Sequence, residues 1–345
     1  MDGERDVASL QWIELALSRI LSALAPTKHM IDVGAHVGTA LEPFLLDGWK
    51  VDAFEPIDAN RRKLTANFPA APNLTIRPEA VSSASGMKEL HLALHLDGTL
   101  HDYHHSLETT REDAWHRKGP SIQVSTVSLD DLVRRAEIPA CVGFLKIDTE
   151  GHDLAVLEGA GALTCDAISV EFWGDAHPLG KSPSSVDAMI ALLRRRGYEC
   201  YLALCHAGDA VVARYSTLDD VAPDSWGNIV FVKDEALYER VRQHRDWRFV
   251  LEMADAFDHL RADLHAKEST IQGLSAALAE RLQLSERLER IAAERLGIIE
   301  RLEHTAAERL AIMERYHVLF NESPRWKQML AGAIGLWPKF SKNAA

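Results

Sequence analysis

The stretch Asp32-Val33-Gly34-Ala35-His36-Val37-Gly38, followed one helix and one strand later by Phe54-Glu55-Pro56, constrains this chain more than any other feature. Met30 to Val33 is a short apolar run ending in an acid, and Gly34 and Gly38 then allow a tight turn with close backbone approach to a ligand. A helical pattern from Thr39 to Leu46 follows. After Gly48, a second strand from Lys50 to Phe54 delivers Glu55 to the carboxyl edge of the sheet, where a carboxylate can accept both hydroxyls of a ribose. The glycine spacing narrows the ligand. A dinucleotide fingerprint places bare backbone against a pyrophosphate, whereas here His36 and Thr39 stand at the second and third glycine positions. That pattern suits a nucleoside cofactor without phosphate, such as S-adenosylmethionine.

A second block, Phe144-Leu145-Lys146-Ile147-Asp148-Thr149-Glu150-Gly151-His152-Asp153, reads as a buried strand, an unusually polar loop and the start of a helix at Leu154 to Glu158. Charged groups crowded at the end of a core strand cost stability unless they are paired or solvated in a cleft. The block is therefore a candidate site. The alternative is a helix N-terminus decorated with acids that favour its dipole, and Asp153 fits that role as well.

With these two blocks on the page, the sequence resembles the FkbM-type methyltransferases, a family dependent on S-adenosylmethionine. The matching pieces are DVGAHVG at 32–38, AFEP at 53–56 with Asn60, Leu64 and Asn67, EAVSS at 79–83 with Ser85-Gly86, TVSLDDLV at 126–133, FLKIDTEGHDLAVLEGA at 144–160 and the strand Ile168 to Glu171. His36 departs from the family's usual Asn, and Thr149 stands where Val is common. The resemblance implies the class I methyltransferase fold: a mainly parallel, Rossmann-like α/β sheet with helices on both faces. It also implies residue roles. Gly34, Ala35, His36 and Gly38 would pack around the cofactor's amino acid and ribose. Glu55, with Pro56 after it, would take the ribose hydroxyls, and Glu79, Ala80 and Val81 would line the adenine. Asp32 would accept from the methionine amino group. On the acceptor side the implied residues are Asp148, Glu150 and His152, with His152 or Glu150 as general base and Lys146 holding the acids in place; Glu171 is a further candidate. The implied chemistry is O-methylation of a hydroxyl on a sugar, glycan or related natural product. A rival from another class is a vestigial methyltransferase fold that works as a scaffold through its C-terminal helix in a glycan-assembly complex. The D/N-P-P-Y/F motif of N-methyltransferases is absent from the sequence.

Composition excludes other classes. The net charge is −13, with no basic stripe to neutralise phosphates, which argues against nucleic acid as a partner. The N-terminal segment 1–26 reads as an amphipathic helix and not as a signal sequence. No apolar run approaches the ~20 residues that span a bilayer. Cys141, Cys165, Cys200 and Cys205 have neither zinc-like spacing nor disulfide-scaffold density, so reduced thiols and a cytoplasmic location are expected. Between Leu96 and Pro120 the periodicity fails. The histidines and aromatics there (His101, Tyr103, His104, His105, Trp115, His116) suit a substrate lid, a solvated loop or a metal site, and the metal is left open.

The methyltransferase domain is expected over 27–233, with a strand pair at Cys200 to Ala203 and Asn228 to Val232 closing the sheet across a turn-rich stretch, and a short capped helix beginning at Ser128. A helical region follows over 234–320. There a 14-residue repeat appears, ERLQLSERLERIAA at 280–293, ERLGIIERLEHTAA at 294–307 and ERLAIMERYHVLFN at 308–321. It aligns Leu282, Leu296 and Leu310 in one seam. A single helix over 261–318 would be about 87 Å long at 1.5 Å per residue, too long to bury on the catalytic domain, so a homo-oligomeric coiled coil is expected, with a solvated, charge-paired helix as the alternative. The tail 321–345 carries aromatics and lysines that suit either peripheral contact with the inner face of a membrane or docking on the helical bundle.

Overall fold

The computed structural model describes residues 3–101, 103–108, 116–174, 176, 184–207, 210–219, 222–254, 256, 267 and 285–322. Two compact units are present, Met1–Asp263 and Leu264–Ala345. In the first, the elements run α1 (Gly3–Leu24), β1 (His29–Val33), α2 (Glu42–Leu46), β2 (Lys50–Phe54), α3 (Asp58–Asn67), β3 (Leu74–Arg77), β4 (Ala80–Val81), β5 (Gly86–His95), β6 (His116–Val127), α4 (Leu129–Arg134), β7 (Cys141–Ile147), α5 (Asp153–Glu158), β8 (Thr164–Trp173), α6 (Val186–Arg195), β9 (Cys200–Ala207), β10 (Ala210–Tyr215), β11 (Trp226–Val232) and α7 (Glu235–Arg242).

Eight strands form one sheet in the order β10-β9-β11-β8-β7-β1-β2-β3. The run β3-β2-β1-β7-β8 is parallel, and β11, β9 and β10 close one edge antiparallel. β1 is central because Met30 to Val33 is buried on both faces, as a strand with helices above and below it must be. One layer sets Ile13, Leu17 and Leu21 of α1 against Phe44 of α2 and Leu237 and Val241 of α7. The opposite layer holds Leu132, Leu157, Met189 and Leu193 of α4, α5 and α6. Parallel strands with the first in the middle, closed by an antiparallel edge, make the class I methyltransferase sheet that the resemblance implies, with the Cys200 and Asn228 strands paired as expected.

Several local expectations change. The helix after the glycine turn begins at Glu42, not Thr39, with Pro43 in its first turn; the left-handed backbone of Gly38, φ 86°, carries the turn on through Leu41. The stretch 96–120, read as irregular, is in part a hairpin: β5 and β6 pair antiparallel with a register shift between His91 and Ala93, and β4 joins them in a second small sheet. β10, inside the turn-rich stretch, forms a hairpin with β9. The Ser128 cap is as read, its Oγ accepting from Asp131 N at 3.1 Å.

α1 and α7 are layers of the same core as the sheet, and Trp247 beyond α7 is fully buried with them. In the second unit one helix, α8 (Ser285–Glu322), is described. Leu296, Ile298, Ile299, Leu302, Leu310, Ile312 and Met313 are exposed on it. Apart from Lys267, the expected helical stretch 257–284 lies outside the described residues, as does the tail 323–345. No described helix is long and apolar enough to cross a membrane.

Candidate functional site

The glycine turn and the polar loop meet at the carboxyl edge, where β1 and β7 are neighbours. Asp148 N donates to Val33 O at 3.0 Å. Gly34 has φ 81°, and a Cβ there would lie 1.9 Å from the Asp148 carbonyl oxygen; only glycine lets the two loops approach this closely. A side chain at Gly38 would collide with Leu64 and Phe68 of the α3 segment. His36 also holds a left-handed conformation, φ 49°.

Glu55, 4% exposed, ends β2 beneath this turn. Its Oε2 accepts from His36 N at 2.9 Å and its Oε1 from Ile57 N at 2.8 Å. Burial raises its pKa, opposed by those amides, Asn60 and Arg61. With the His36 and Ile57 amides and the Asn60 side chain bonded to it, the carboxylate keeps one accepting position beyond those that shape the turn. The Pro56 carbonyl accepts from Arg61 Nη1 at 2.6 Å, which anchors α3 under the turn. Glu79 is half-buried just before β4, and Ala80 and Val81 are buried in it beside β6.

Asp32, 1% exposed, ends β1. Its Oδ1 has no hydrogen-bond partner among the described residues and lies 3.9 Å from Lys146 Nζ. Burial pushes its pKa up to about 6, against the pull of Lys146. Lys146 in turn bonds Asp148 Oδ2 at 2.7 Å; burial works against its charge, but Asp148, Asp32 and Glu14 together raise its pKa. Lys146 thus lies between Asp32 and Asp148.

The remaining expected acceptor-side residues separate. Glu150, in a left-handed conformation at φ 54°, pairs with His104 Nδ1 at 3.1 Å. The His152 ring is buried as the cap of α5, with Nδ1 2.6 Å from Glu108 Oε1 and Nε2 2.9 Å from Ser82 Oγ. Burial lowers its pKa. Both ring nitrogens are engaged, so this imidazole ties β4 and the 101–108 loop to α5. Asp153 Oδ2 accepts from Thr149 Oγ1 and Gly151 N, at 3.0 and 3.3 Å, holding the loop; burial and Asp148 push Asp153 up to about 7.

The 101–108 segment lies across both loops. The Tyr103 ring packs tilted against His36, centroids 4.5 Å apart, and Ser106 Oγ donates to the Glu150 carbonyl at 2.8 Å. That is where a lid would sit. Of the residues in this stretch, 102 and 109–115 lie outside the described set, and no group of three or more metal-ligating side chains is present among the described residues. Sequence reading missed four members of the site: Glu108, Ser82, Asn228 and Glu14. Only Ser82 fell within a recognised motif, and Glu14 reaches Asn228 across 214 positions of sequence.

The sheet order, the glycine turn touching the loop after β7 and the acid ending β2 define a class I methyltransferase. Residues 32–200 match the methyltransferase FkbM domain, and the chain carries that domain. Its cofactor is S-adenosylmethionine, and the residues present fit it: a glycine turn at the carboxyl edge of the sheet, the buried Glu55 carboxylate after β2, and the buried Asp32 Oδ1, which has no hydrogen-bond partner among the described residues. The chain is also similar to solved structures: the N-terminal domain of EvdMO1 in the presence of SAH and D-fucose (11% identity, 64% of this chain and 83% of that chain, TM-score 0.36); an O-methyltransferase from Bacillus cereus in complex with SAH (13%, 65% and 80%, TM-score 0.33); and an rRNA methylase from Streptococcus thermophilus (9%, 63% and 93%, TM-score 0.33). No curated protein matches the chain.

Proposed function

We propose that this methyltransferase transfers its methyl group to a hydroxyl oxygen of a sugar, glycan or related natural product. The observation that carries this reading is the pair of partly exposed carboxylates, Asp148 and Glu150 (side chains 38% and 21% exposed), beside the glycine turn. The cofactor supplies a methyl group on a sulfonium leaving group; the protein must orient the acceptor and remove its proton. Asp148, fixed by Lys146, and Glu150, fixed by His104, stand where a hydroxyl could donate to them, and either can serve as base. His152 supports them by holding the loop. The histidines and Tyr103 of the lid offer hydrogen bonds and a stacking face to a sugar ring.

The decisive measurement is mass spectrometry of methyl incorporation from S-adenosylmethionine into a panel of sugar nucleotides, lipid-linked glycans and small polyketides. Incorporation at oxygen, lost in Glu150→Gln with cofactor affinity kept, supports the reading; incorporation only at nitrogen or carbon sinks it.

The exposed apolar residues of α8 support a second activity, self-association through residues 261–318, and the tail 321–345 is the candidate for peripheral membrane contact or for docking on the helical bundle. The four free thiols suit a reducing compartment, and we place the protein in the cytoplasm at the inner face of the membrane. A protein that binds no S-adenosylmethionine yet oligomerises would be the scaffold alternative.

A further inference from the structure

Glu14 lies on α1, outside the 32–200 domain match, yet its carboxylate is set at the carboxyl edge of the sheet. Its helical turn is held down by Ile13 and Leu17, buried in the core. Asn228 of β11 donates to Glu14 Oε1. In the strand register Asp32 faces Lys146, Lys146 faces Ser169, and Glu171, two residues on from Ser169, faces Asn228. Because side chains alternate along a strand, these residues share one face of the sheet, the face that α1 covers.

Four carboxylates, Glu14, Asp32, Asp148 and Glu171, therefore surround a single ammonium, Lys146. Asp32 Oδ1 and Glu171 Oε2 are buried without hydrogen-bond partners among the described residues. One ammonium, already paired with the partly exposed Asp148, cannot also balance Glu14, Asp32 and Glu171, so these three retain protons: burial pushes Glu14 up to about 7 and Asp32 up to about 6, and Glu171 is also raised, by burial and then by Glu150, Asp148 and Asp153. An arrangement of this kind is completed by a second positive charge.

We propose that Glu14 of the N-terminal helix, with Asp32, completes an anionic wall that reads the positive charge of the cofactor and separates S-adenosylmethionine from its neutral product. The proposal rests on the glycine turn holding that cofactor. Both forms carry the amino acid's ammonium and carboxylate, and the substrate form adds a sulfonium cation where the product, S-adenosylhomocysteine, has an uncharged sulfur, so the extra attraction to buried carboxylates acts on the substrate form and is strong where water is excluded. Glu14 acts through the wall as a positioning residue and makes no bond to the reacting atoms. A cation bound beside protonated carboxylates displaces their protons, so by linkage its affinity rises with pH across their titration. The charged groups that act on Glu14 are Lys146 and Asp148 at the end of β7, while Asp32 on β1 and Glu171 on β8 lie on the same face of the sheet.

Calorimetric titration of the full chain with S-adenosylmethionine and with S-adenosylhomocysteine, at about pH 5.5 and about pH 8 and in buffers of different ionisation enthalpy, tests this. For the wild type, S-adenosylmethionine should tighten by about tenfold relative to the product between the two pH values, with proton release. Glu14→Gln should remove most of that gain and of the proton release while leaving the product's affinity nearly unchanged, and Glu14→Asp should restore part of it. A Gln variant with the wild-type affinity ratio and the wild-type pH dependence overturns the proposal. If Glu14→Gln does not fold, Asn228→Ala, which keeps the carboxylate but releases it, must lower the ratio, and an unchanged ratio overturns the proposal equally. A wild type that binds neither ligand overturns the cofactor assignment itself, and this wall with it.

Discussion

Glu55 shows how one residue can build a site and serve it. Its two oxygens hold the amides of His36 and Ile57, so Glu55→Ala leaves two backbone donors without their acceptor and removes the carboxylate that the resemblance assigns to the ribose. Cofactor affinity should fall by about 1–3 kcal/mol, the scale of a lost charge-assisted hydrogen bond, and calorimetry would read it; an unchanged affinity removes Glu55 from the site. Asp153 makes the opposite case, an acid that the fold would rather keep neutral. Its pKa is raised to about 7, so the proton it binds stabilises the folded state fully below the ordinary carboxylate range, and that stability is lost as pH rises toward 7. Asp153→Asn can keep the bonds from Thr149 and Gly151 without a charge to desolvate. The wild type should therefore lose thermal stability between about pH 4 and 7 relative to the variant, with a slope of up to ~1.4 kcal/mol per pH unit. Parallel melting curves in scanning calorimetry would refute this.

At the scale of elements, the 101–108 loop is held by bonds to the polar loop. Glu108 bonds the buried His152, and Ser106 bonds the Thr149 and Glu150 carbonyls. Glu108→Ala leaves a buried imidazole nitrogen unmatched and removes one of the loop's anchors, at a cost of about 1–3 kcal/mol. Amide hydrogen exchange should then accelerate over residues 149–153 and 103–108 while β7 stays protected; acceleration confined to β7, or none at all, would show that Glu108 is not an anchor. The strands that this loop joins explain what the sequence hid. β1, β2 and β7 were legible because their apolar runs are buried on both faces and end in charge. β5 and β6 were not, because theirs is a hairpin of which one face is largely solvated, with Lys88, Glu89 and His91 in one strand and Gly119 and Pro120 in the other. The cofactor motifs could be read since each is local in sequence. Glu14 and Asn228 could not, because neither carries a motif and only the packing of α1 brings them together.

For the whole molecule, the question is where the catalytic body stops and what the remaining helix is for. A cut after Lys233 follows the last sheet strand, but it would remove Leu237, Tyr238, Val241 and Trp247, all buried against α1 and the sheet. Losing the burial of such side chains costs about 1.5–3 kcal/mol each, comparable in sum with the whole stability of a domain. The compact unit instead ends at Asp263. A chain of residues 1–263 should therefore fold, bind S-adenosylmethionine and sediment as a monomer, whereas residues 1–233 should be insoluble or molten. The full chain should sediment as an oligomer at tens of micromolar, since α8 exposes Leu296, Ile299, Leu302 and Leu310 at a repeat that a supercoiled partner can match. Substituting Leu296, Leu302 and Leu310 by Glu in the full chain should give the monomer with cofactor affinity intact. Sedimentation of the unsubstituted chain as a monomer would leave the seam as a charged, solvated helix, and the methyltransferase would then work without a second copy.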